Sequence, residues 1–479
     1  MPQHDASGPA PASEQRRLHH PLRLGDLVLA QILCVVGSSW VGVAGGLGPA
    51  QSLTWVAAML VFYIPMAASV ICLNRAMPLE GGLYVWARQA FGDLGGFLTA
   101  WNLWVYGIAV TATILYAIPT ELSYLIGPSA AWLPENRLVS LAIVTALIVI
   151  ITIAALRGLE LGKWIHNIGG IAMLSVFAAL IFLPLWAFAH HAPIHYTPFS
   201  VAAPPLNMRT LALFGQLLFG ALCGLEYIAI MAGESRDPAR TIGQSVILSS
   251  PVICAMFILG TASIVALVPR TRIDFIAPIP QAMRLTLGHT GLGNIAAVAV
   301  ILLLQLRLLG NTSYLFAGVS RLPMTVGWNH LVPAWFTRLH PRRATPTNAI
   351  LCCAAIAFAL VLLGTAGVHA QEAYQLLSNA SLTHYEVAYL AMFAIPLFGS
   401  ATLRRSLPNW LRWTSIAGFL STLFSLLISA YPFVSVVNPR TYAIKILSTI
   451  LLSNCAALTY YLIRMRGAGK EKAALENAA

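Results

Sequence analysis

The chain has 479 residues, of which 58% are hydrophobic and 9% are charged. A soluble protein carries about 25% charged residues, so 28 Lys and Arg with 16 Asp and Glu cannot cover a water-facing surface of this size. The composition excludes a soluble enzyme, a disordered chain and a disulfide scaffold, and it predicts a surface that faces lipid. The net charge of +12 would also suit nucleic-acid binding, which the placement of the charges has to decide.

Twelve apolar runs are long enough to cross a bilayer as helices, since a membrane helix needs about 20 such residues. They lie near 27–48, 52–73, 95–118, 138–156, 163–188, 209–232, 243–268, 293–318, 347–365, 373–398, 411–431 and 441–463. The runs are continuous and not alternating, which excludes membrane strands. The sequence therefore predicts an all-α polytopic membrane protein with twelve transmembrane helices.

Residues 1–22 are polar and rich in Pro and Ala, and they predict a disordered tail. They lack the residue order of a cleaved signal peptide, so we expect the first helix to remain in the mature protein. With twelve spans both termini share one side, and 20 of the 28 Lys and Arg fall on that side. The positive-inside rule then predicts cytoplasmic termini, and it explains the basic charge without nucleic acid.

Glycines interrupt the first and the sixth of these runs. The first run contains Gly37, Gly42, Gly45, Gly46 and Gly48, and the sixth contains Gly215, Gly220 and Gly224. Glycine lowers the cost of leaving the helical conformation, and paired interrupted segments indicate a transporter binding site. The same spacing of small residues also serves close helix packing, and this alternative stays open.

The two interrupted runs are five helices apart, which fits two repeats of five helices with inverted orientation. The predicted divisions are a tail at 1–22, a first repeat at 23–190, a second repeat at 205–400, two additional helices at 408–465, and a cytoplasmic C-terminal tail at 466–479.

Four local patterns resemble the amino acid–polyamine–organocation (APC) permease superfamily. Gly37-Ser38-Ser39-Trp40-Val41 is similar to the Gly-Ser-Gly-Ile-Phe motif of its first helix, although Ser39 replaces the second glycine. The other three patterns are Pro78-Leu79-Glu80-Gly81-Gly82-Leu83-Tyr84, the segment from Gly224-Leu225-Glu226 to Gly233-Glu234-Ser235-Arg236-Asp237-Pro238, and Ser320-Arg321-Leu322-Pro323. The resemblance implies the LeuT-like APC fold.

It also implies an amino acid or amine held between the broken parts of helices one and six. Backbone N–H groups of Gly37, Ser38 and Ser39 would meet the carboxylate, with Gly42 following in the same segment. Carbonyls of Phe219, Gly220 and Ala221 would meet the ammonium, with Gly224 beyond them. Leu222 falls where many relatives have a bulky aromatic gate, so stacking over the substrate is not expected here.

Three charges within predicted spans are the other functional signal, because a charge at a helix centre costs at least about 2.5–3.5 kcal/mol unless it is paired or hydrated. They are Glu226, Arg307 and Glu386. We hypothesise that Arg307 pairs with one of the two carboxylates. The pair would either lock the helices permanently or take part in proton coupling. Where many proton-coupled relatives have a Lys, the alignment places Met173, and Arg307 would supply the missing cation.

These features predict a secondary amino acid permease that works by alternating access in the cell membrane, coupled to protons or working as an exchanger. The alternatives are a polyamine or cationic amine transporter and a non-transporting amino acid sensor of the same fold. An enzyme is not predicted, since no nucleophile or metal-ligand constellation is evident, and no Walker sequence supports ATP-driven transport. The expected partners are a small-molecule substrate, lipid and protons, with no cofactor and no metal.

Overall fold

The computed structural model describes residues 23–78, 82–158, 162–194, 203–227, 237–325, 331–341, 343 and 345–478. The predicted tail at 1–22 lies outside the described residues, as do positions 79–81 and 228–236 of the two motifs that include them. The side chains of 162–166, 238, 325 and 467–478 are likewise outside the description. Over the residues described, the chain contains helices and no strands, as the continuous apolar runs predict.

The first half of the chain contains α1 Leu24–Val35, α2 Trp40–Gly45, α3 Gln51–Ala58, α4 Ile64–Ala76, α5 Leu83–Ile126, α6 Arg137–Leu156 and α7 Gly162–Ala189. A π-helical turn, Met59–Tyr63, joins α3 to α4. Gly92, at φ 80°, divides α5 into a short first part and a long second part.

The second half contains α8 Met208–Gly215, α9 Pro238–Leu267, α10 Pro278–Leu287, α11 Gly291–Thr325, α12 Ala334–Thr337, α13 Thr347–Gly364, α14 Ala370–Phe398, α15 Ala401–Ser406, α16 Leu411–Ile428 and α17 Pro439–Ala478. A second π-helical turn, Gln216–Gly220, follows α8 directly and is called the π segment below.

Nine segments of the described chain are long and apolar enough to cross a membrane. They are Gly48–Ala76, Leu83–Ile126, Arg137–Leu156, Asn167–Ala189, Ala239–Leu267, Gly291–Met324, Thr347–Gly364, Leu411–Ile428 and Pro439–Arg466. The chain is therefore a multi-pass helical membrane protein. Each of the nine overlaps one of the predicted runs, while the total of twelve and the inverted repeat stay predictions.

The other three predicted runs are not among the nine segments, because each is either interrupted or too polar. The run at 27–48 is divided between α1 and α2, and the run at 209–232 leaves helical geometry after the π segment. The run at 373–398 lies in the continuous helix α14, but α14 carries buried polar side chains along its length. All three runs are interrupted or polar, and they contain or pack against the residues that form the site.

The two interrupted segments lie inside the helix assembly. α1 packs against α7 and α9, α14 packs along α5 and α16, and α2 contacts the π segment. One large buried apolar cluster includes residues of α1, α4, α7 and α9, and a second includes residues of α5, α6, α11 and α13. Backbone that leaves helical geometry at membrane depth is tolerated where protein surrounds it or where it lines a cavity.

Candidate functional site

The first break lies between α1 and α2. Val36 has an extended conformation, with φ −79° and ψ 107°, and α2 begins at Trp40. Residues 36–39 therefore leave helical carbonyls of α1 and N–H groups of α2 without partners inside a helix. Such groups cost free energy in an apolar interior unless other donors and acceptors reach them.

Arg307 of α11 binds the carbonyl groups at the end of α1. Its Nη2 donates to Leu33 O at 2.7 Å and to Val36 O at 3.0 Å, and the residue is 8% exposed. A helix carries partial negative charge at its C-terminal end, so a guanidinium there gains both hydrogen bonds and a favourable dipole interaction. The guanidinium of Arg307 thus supplies the hydrogen-bond donors that the carbonyl groups at the end of α1 lack within the helix.

The second break follows the π segment. Gly224 has φ +113°, a conformation that residues with a Cβ rarely adopt, and its N–H donates to Tyr389 Oη at 2.9 Å. The hydroxyls of Tyr385 and Tyr389 both donate to the carboxyl group of Glu226, which is 2% exposed. Tyr385 and Tyr389 of α14 therefore fix the C-terminal end of the second break by binding the side chain of Glu226.

The two breaks lie against each other because glycine allows close approach. A methyl group added to Gly220 would lie 2.6 Å from Trp40 Cη2, well inside van der Waals contact. One added to Gly224 would lie 3.6 Å from Val35 Cγ2. The glycines of the sixth run thus let the indole of α2 and the end of α1 sit beside the second break.

A cavity of about 190 Å³ lies between the breaks, and we call it the central cavity. Its wall takes residues from both breaks, from α5, from α11 and from α14. The polar and aromatic side chains in this wall include Ser38, Ser39, Trp40, Tyr106, Glu121, Tyr227, Arg307 and Tyr374. The hydroxyl of Tyr374 donates to Ser39 Oγ at 3.1 Å and joins α14 to the first break.

Five of the nine predicted binding residues are in the wall of the central cavity. These are Gly37, Ser38, Ser39, Gly220 and Gly224. The other four lie behind the wall and are buried: Gly42, Phe219, Ala221 and Leu222. A methyl group added to Gly42 would lie 2.8 Å from Pro278 Cβ, and Phe219 packs edge to face against Tyr385 and Tyr389.

The three predicted intramembrane charges are buried, but they have other partners than the hypothesised ion pair. Arg307 binds carbonyl groups, Glu226 accepts from tyrosines, and Glu386 Oε1 is hydrogen-bonded to Ser425 Oγ at 2.5 Å. The ion pairs recorded for the described residues do not include any of the three. The partners of the three charges in this structure are thus backbone carbonyls and hydroxyl groups, and a role in proton coupling stays a prediction.

Sequence reasoning missed Glu121, which is 1% exposed and in the cavity wall. Gln305 Nε2 donates to Glu121 Oε2 at 2.5 Å, and Arg307 interacts with this carboxyl group electrostatically. The predicted third span ended at residue 118, whereas α5 continues to Ile126. The signal was present in the sequence, since the apolar run resumes after Glu121 as far as Ile126.

Two interrupted helices that enclose a small cavity with buried charged and hydroxyl groups in its wall, inside a multi-pass membrane protein, indicate a small-molecule carrier as the class of protein. A family model described as amino acid permease matches residues 27–454, so the chain belongs to the amino acid permease family. This match confirms the resemblance drawn from the four sequence patterns.

Individual relatives of the chain are also named as transporters. The chain is 26% identical over 399 residues to an uncharacterized transporter of Legionella pneumophila, covering 83% of this chain and 84% of the relative. It is 23% identical to a probable agmatine/putrescine antiporter of Lactococcus lactis, covering 77% and 78% of the two chains. It is also 23% identical to a branched-chain amino acid permease of Bacillus subtilis, covering 70% and 73%.

We predict that Arg307→Met lowers the melting temperature of the purified protein, because two buried carbonyl groups lose their donor at about 1–3 kcal/mol each. Arg307→Lys keeps a cation but lacks the guanidinium fork, so it should melt between the two. Thermal unfolding of the three proteins in one detergent is the measurement. A Met variant that melts with the wild type would show that Arg307 does not stabilise the end of α1.

Proposed function

We propose that the protein is a secondary active transporter of amino acids, with the substrate bound between the two broken helices. The observation that carries this proposal is the central cavity, whose wall includes both breaks. N–H groups near Gly37, Ser38 and Ser39 stand at the start of α2, where the helix dipole favours a carboxylate. The Bacillus relative named as a branched-chain amino acid permease supports this substrate class.

The ammonium group of the substrate would bind carbonyl oxygens at the end of the π segment. Among the three carbonyls expected for this role, Phe219 O already accepts from Cys223 N–H at 3.0 Å. Gly220 O accepts from Cys223 Sγ at 3.6 Å and keeps a second lone pair, and Gly220 is the one of the three in the cavity wall, so it is the first candidate for this role. Leu222 is fully buried and packs in the apolar core, which supports a site without an aromatic gate at this position.

Alternating access completes the proposal. Twelve spans arranged as two inverted repeats of five with two further helices would let the breaks face each side in turn. The excess of Lys and Arg on one side of the predicted topology supports cytoplasmic termini in the cell membrane. In this proposal the nine apolar segments would supply nine of the twelve spans, and the three interrupted or polar segments would supply the other three.

Arg307 supports transport that does not depend on sodium. Carbonyl groups at the end of a broken helix suit a bound cation, and here Leu33 O and Val36 O already bind the guanidinium. A sodium ion at the same carbonyls would meet a fixed positive charge at close range. Coupling to protons, or exchange of one substrate for another, fits this arrangement.

Uptake of radiolabelled amino acids into proteoliposomes tests the proposal. We expect counterflow in sodium-free buffer above that of empty liposomes. We expect Gly220→Ala to lower it by about tenfold, corresponding to about 1.4 kcal/mol, because the new methyl group collides with Trp40 in the cavity.

Gly318→Ala is the matched control, since a methyl group there meets nothing within 4 Å. The control should transport as the wild type does. Ligand binding without any counterflow would favour a sensor and contradict the transport proposal.

Glu121 favours a second candidate, a carrier of cationic amino acids or amines. A carboxyl group in the cavity wall can pair with a positive charge on the substrate, and the Lactococcus relative is named as a probable agmatine/putrescine antiporter. Arg307 acts against this preference because it places a positive charge near Glu121.

If the substrate is cationic, Glu121→Gln should weaken competition by lysine, agmatine and putrescine about tenfold or more, since a charge-assisted bond to the substrate is lost. Competition by leucine and alanine should change little. Inhibition constants in the counterflow assay separate the two candidates: equal changes for neutral and cationic competitors would remove the cationic preference.

A further inference from the structure

Glu386 forms the clearest titratable site outside the central cavity. It lies on α14 and is 1% exposed, and its Oε1 is 2.5 Å from Ser425 Oγ of α16. Ser425 Oγ is also 2.9 Å from the carbonyl oxygen of Gly215, the last residue of α8 before the π segment. Three helices therefore meet at one hydroxyl group.

Ser425 has a single hydroxyl hydrogen, and this fixes which protonation state of Glu386 allows both contacts of Ser425 to be hydrogen bonds. A serine hydroxyl donates one hydrogen, and a peptide carbonyl can only accept. If Ser425 donates to Gly215 O, the hydrogen between Ser425 and Glu386 has to come from the carboxyl group. The complete chain runs from Glu386 O–H to Ser425 Oγ and from Ser425 O–H to Gly215 O.

The surroundings of Glu386 also favour the neutral acid. Its Oε2 is buried and makes no hydrogen bond within the described structure. An isolated carboxylate in an apolar interior is costly, whereas the acid needs no counter-ion.

The titratable groups near Glu386 supply no such counter-ion. Cys223, beyond the π segment, interacts electrostatically with Glu386 but carries no positive charge. On α14 itself, His384 Nδ1 bonds to Ala380 O. Tyr106 of α5 stacks on Tyr385, and Tyr442 Oη of α17 accepts from Asn379 Nδ2 at 2.9 Å.

The charged and titratable groups of the other helices face other parts of the structure. Arg404 of α15 contacts Leu397 O at 3.5 Å, and Tyr63, beside α4, faces Ser250 of α9. Glu226 binds Tyr385 and Tyr389, and Arg307 binds the end of α1.

α8 packs closely on α16 at the same point. A methyl group added to Gly215 would lie 2.4 Å from Ile428 Cγ2 and 3.8 Å from Ser425 Oγ. The end of α8 is therefore held to α16 by contact and by the Ser425 hydrogen bond. A change in that hydrogen bond acts directly on the end of α8, which the π segment with Gly220 follows.

We propose that Glu386 is a proton-binding site separate from the substrate cavity, and that its protonated form fastens α8 to α14 and α16 through Ser425. On deprotonation the carboxyl O–H bond breaks and the proton passes to water. The single hydrogen of Ser425 then turns to the carboxylate, and Gly215 O loses this donor. Proton binding thus controls the position of α8, and as a coupling site it rests on the proposed transport function.

Hydrogen exchange tests the site without any substrate. We expect peptides that cover 208–221 in the wild type to exchange about tenfold faster at about pH 8.5 than at about pH 5.5, after correction for intrinsic rates. In Glu386→Gln the amide keeps a donor for Ser425 and cannot titrate, so this pH dependence should disappear. Ser425→Ala should abolish it as well, because the link to Gly215 O is removed.

Glu372→Gln is the matched control, because Glu372 is another buried carboxyl group of α14 and accepts instead from Val437 N–H at 2.9 Å. It should exchange as the wild type does. The proposal is overturned if Glu386→Gln keeps the pH dependence of the wild type in these peptides.

Transport then tests the coupling. Glu386→Gln should retain counterflow within about twofold, since loaded carrier can still move, and should lose accumulation driven by a pH gradient. Counterflow without pH-driven accumulation supports coupling at Glu386. Wild-type accumulation by the variant contradicts it. If the wild type itself shows no counterflow, the transport proposal fails, and the exchange experiment still decides whether the proton-binding site exists.

Discussion

At the end of α1 the carbonyl groups of Leu33 and Val36 lack helical partners inside a membrane protein, and the guanidinium of Arg307 binds both. This interaction determines much of what surrounds it. It lets α1 stop at Val35 without exposing unsatisfied backbone to an apolar interior, and it fixes α11 against the first break. It also places a positive charge in the wall of the central cavity, beside Glu121. The cation at this helix break is thus a side chain of the protein itself.

The second break depends on a different set of contacts. Tyr385 and Tyr389 hold Glu226, Gly224 bonds to Tyr389, and Phe219 packs against both tyrosines. α14 therefore holds this break, while Ser425 of α16 bonds to Gly215, the last residue of α8 before the π segment. α14 thus contacts both breaks, at Ser39 through Tyr374 and at Glu226 through Tyr385 and Tyr389, whereas Arg307 binds the first break alone.

Much of the fold follows from the sequence, because apolar runs and glycine clusters report directly on membrane spans and helix breaks. Gly37, Ser38, Ser39, Gly220 and Gly224 were predicted for the site and lie in the cavity wall. The partners of the charges could not be predicted in the same way. Arg307 binds backbone carbonyl groups, and every residue has one, so the sequence does not indicate which of them Arg307 contacts. Ser425 contacts Glu386 because α14 and α16 pack with those two faces together. Glu121 was missed because the end of its span was placed before it.

The central claim is that the two breaks bind the α-carboxylate and the α-ammonium of one amino acid. The most direct test is the ligand-induced shift in melting temperature of the purified protein. The ligands are α-amino acids, the amino alcohols that lack the carboxylate, and the carboxylic acids that lack the ammonium. The account predicts that at least one amino acid stabilises the protein and that both of its analogues do not. Equal stabilisation by an amino alcohol, or by a diamine without any carboxylate, would contradict it.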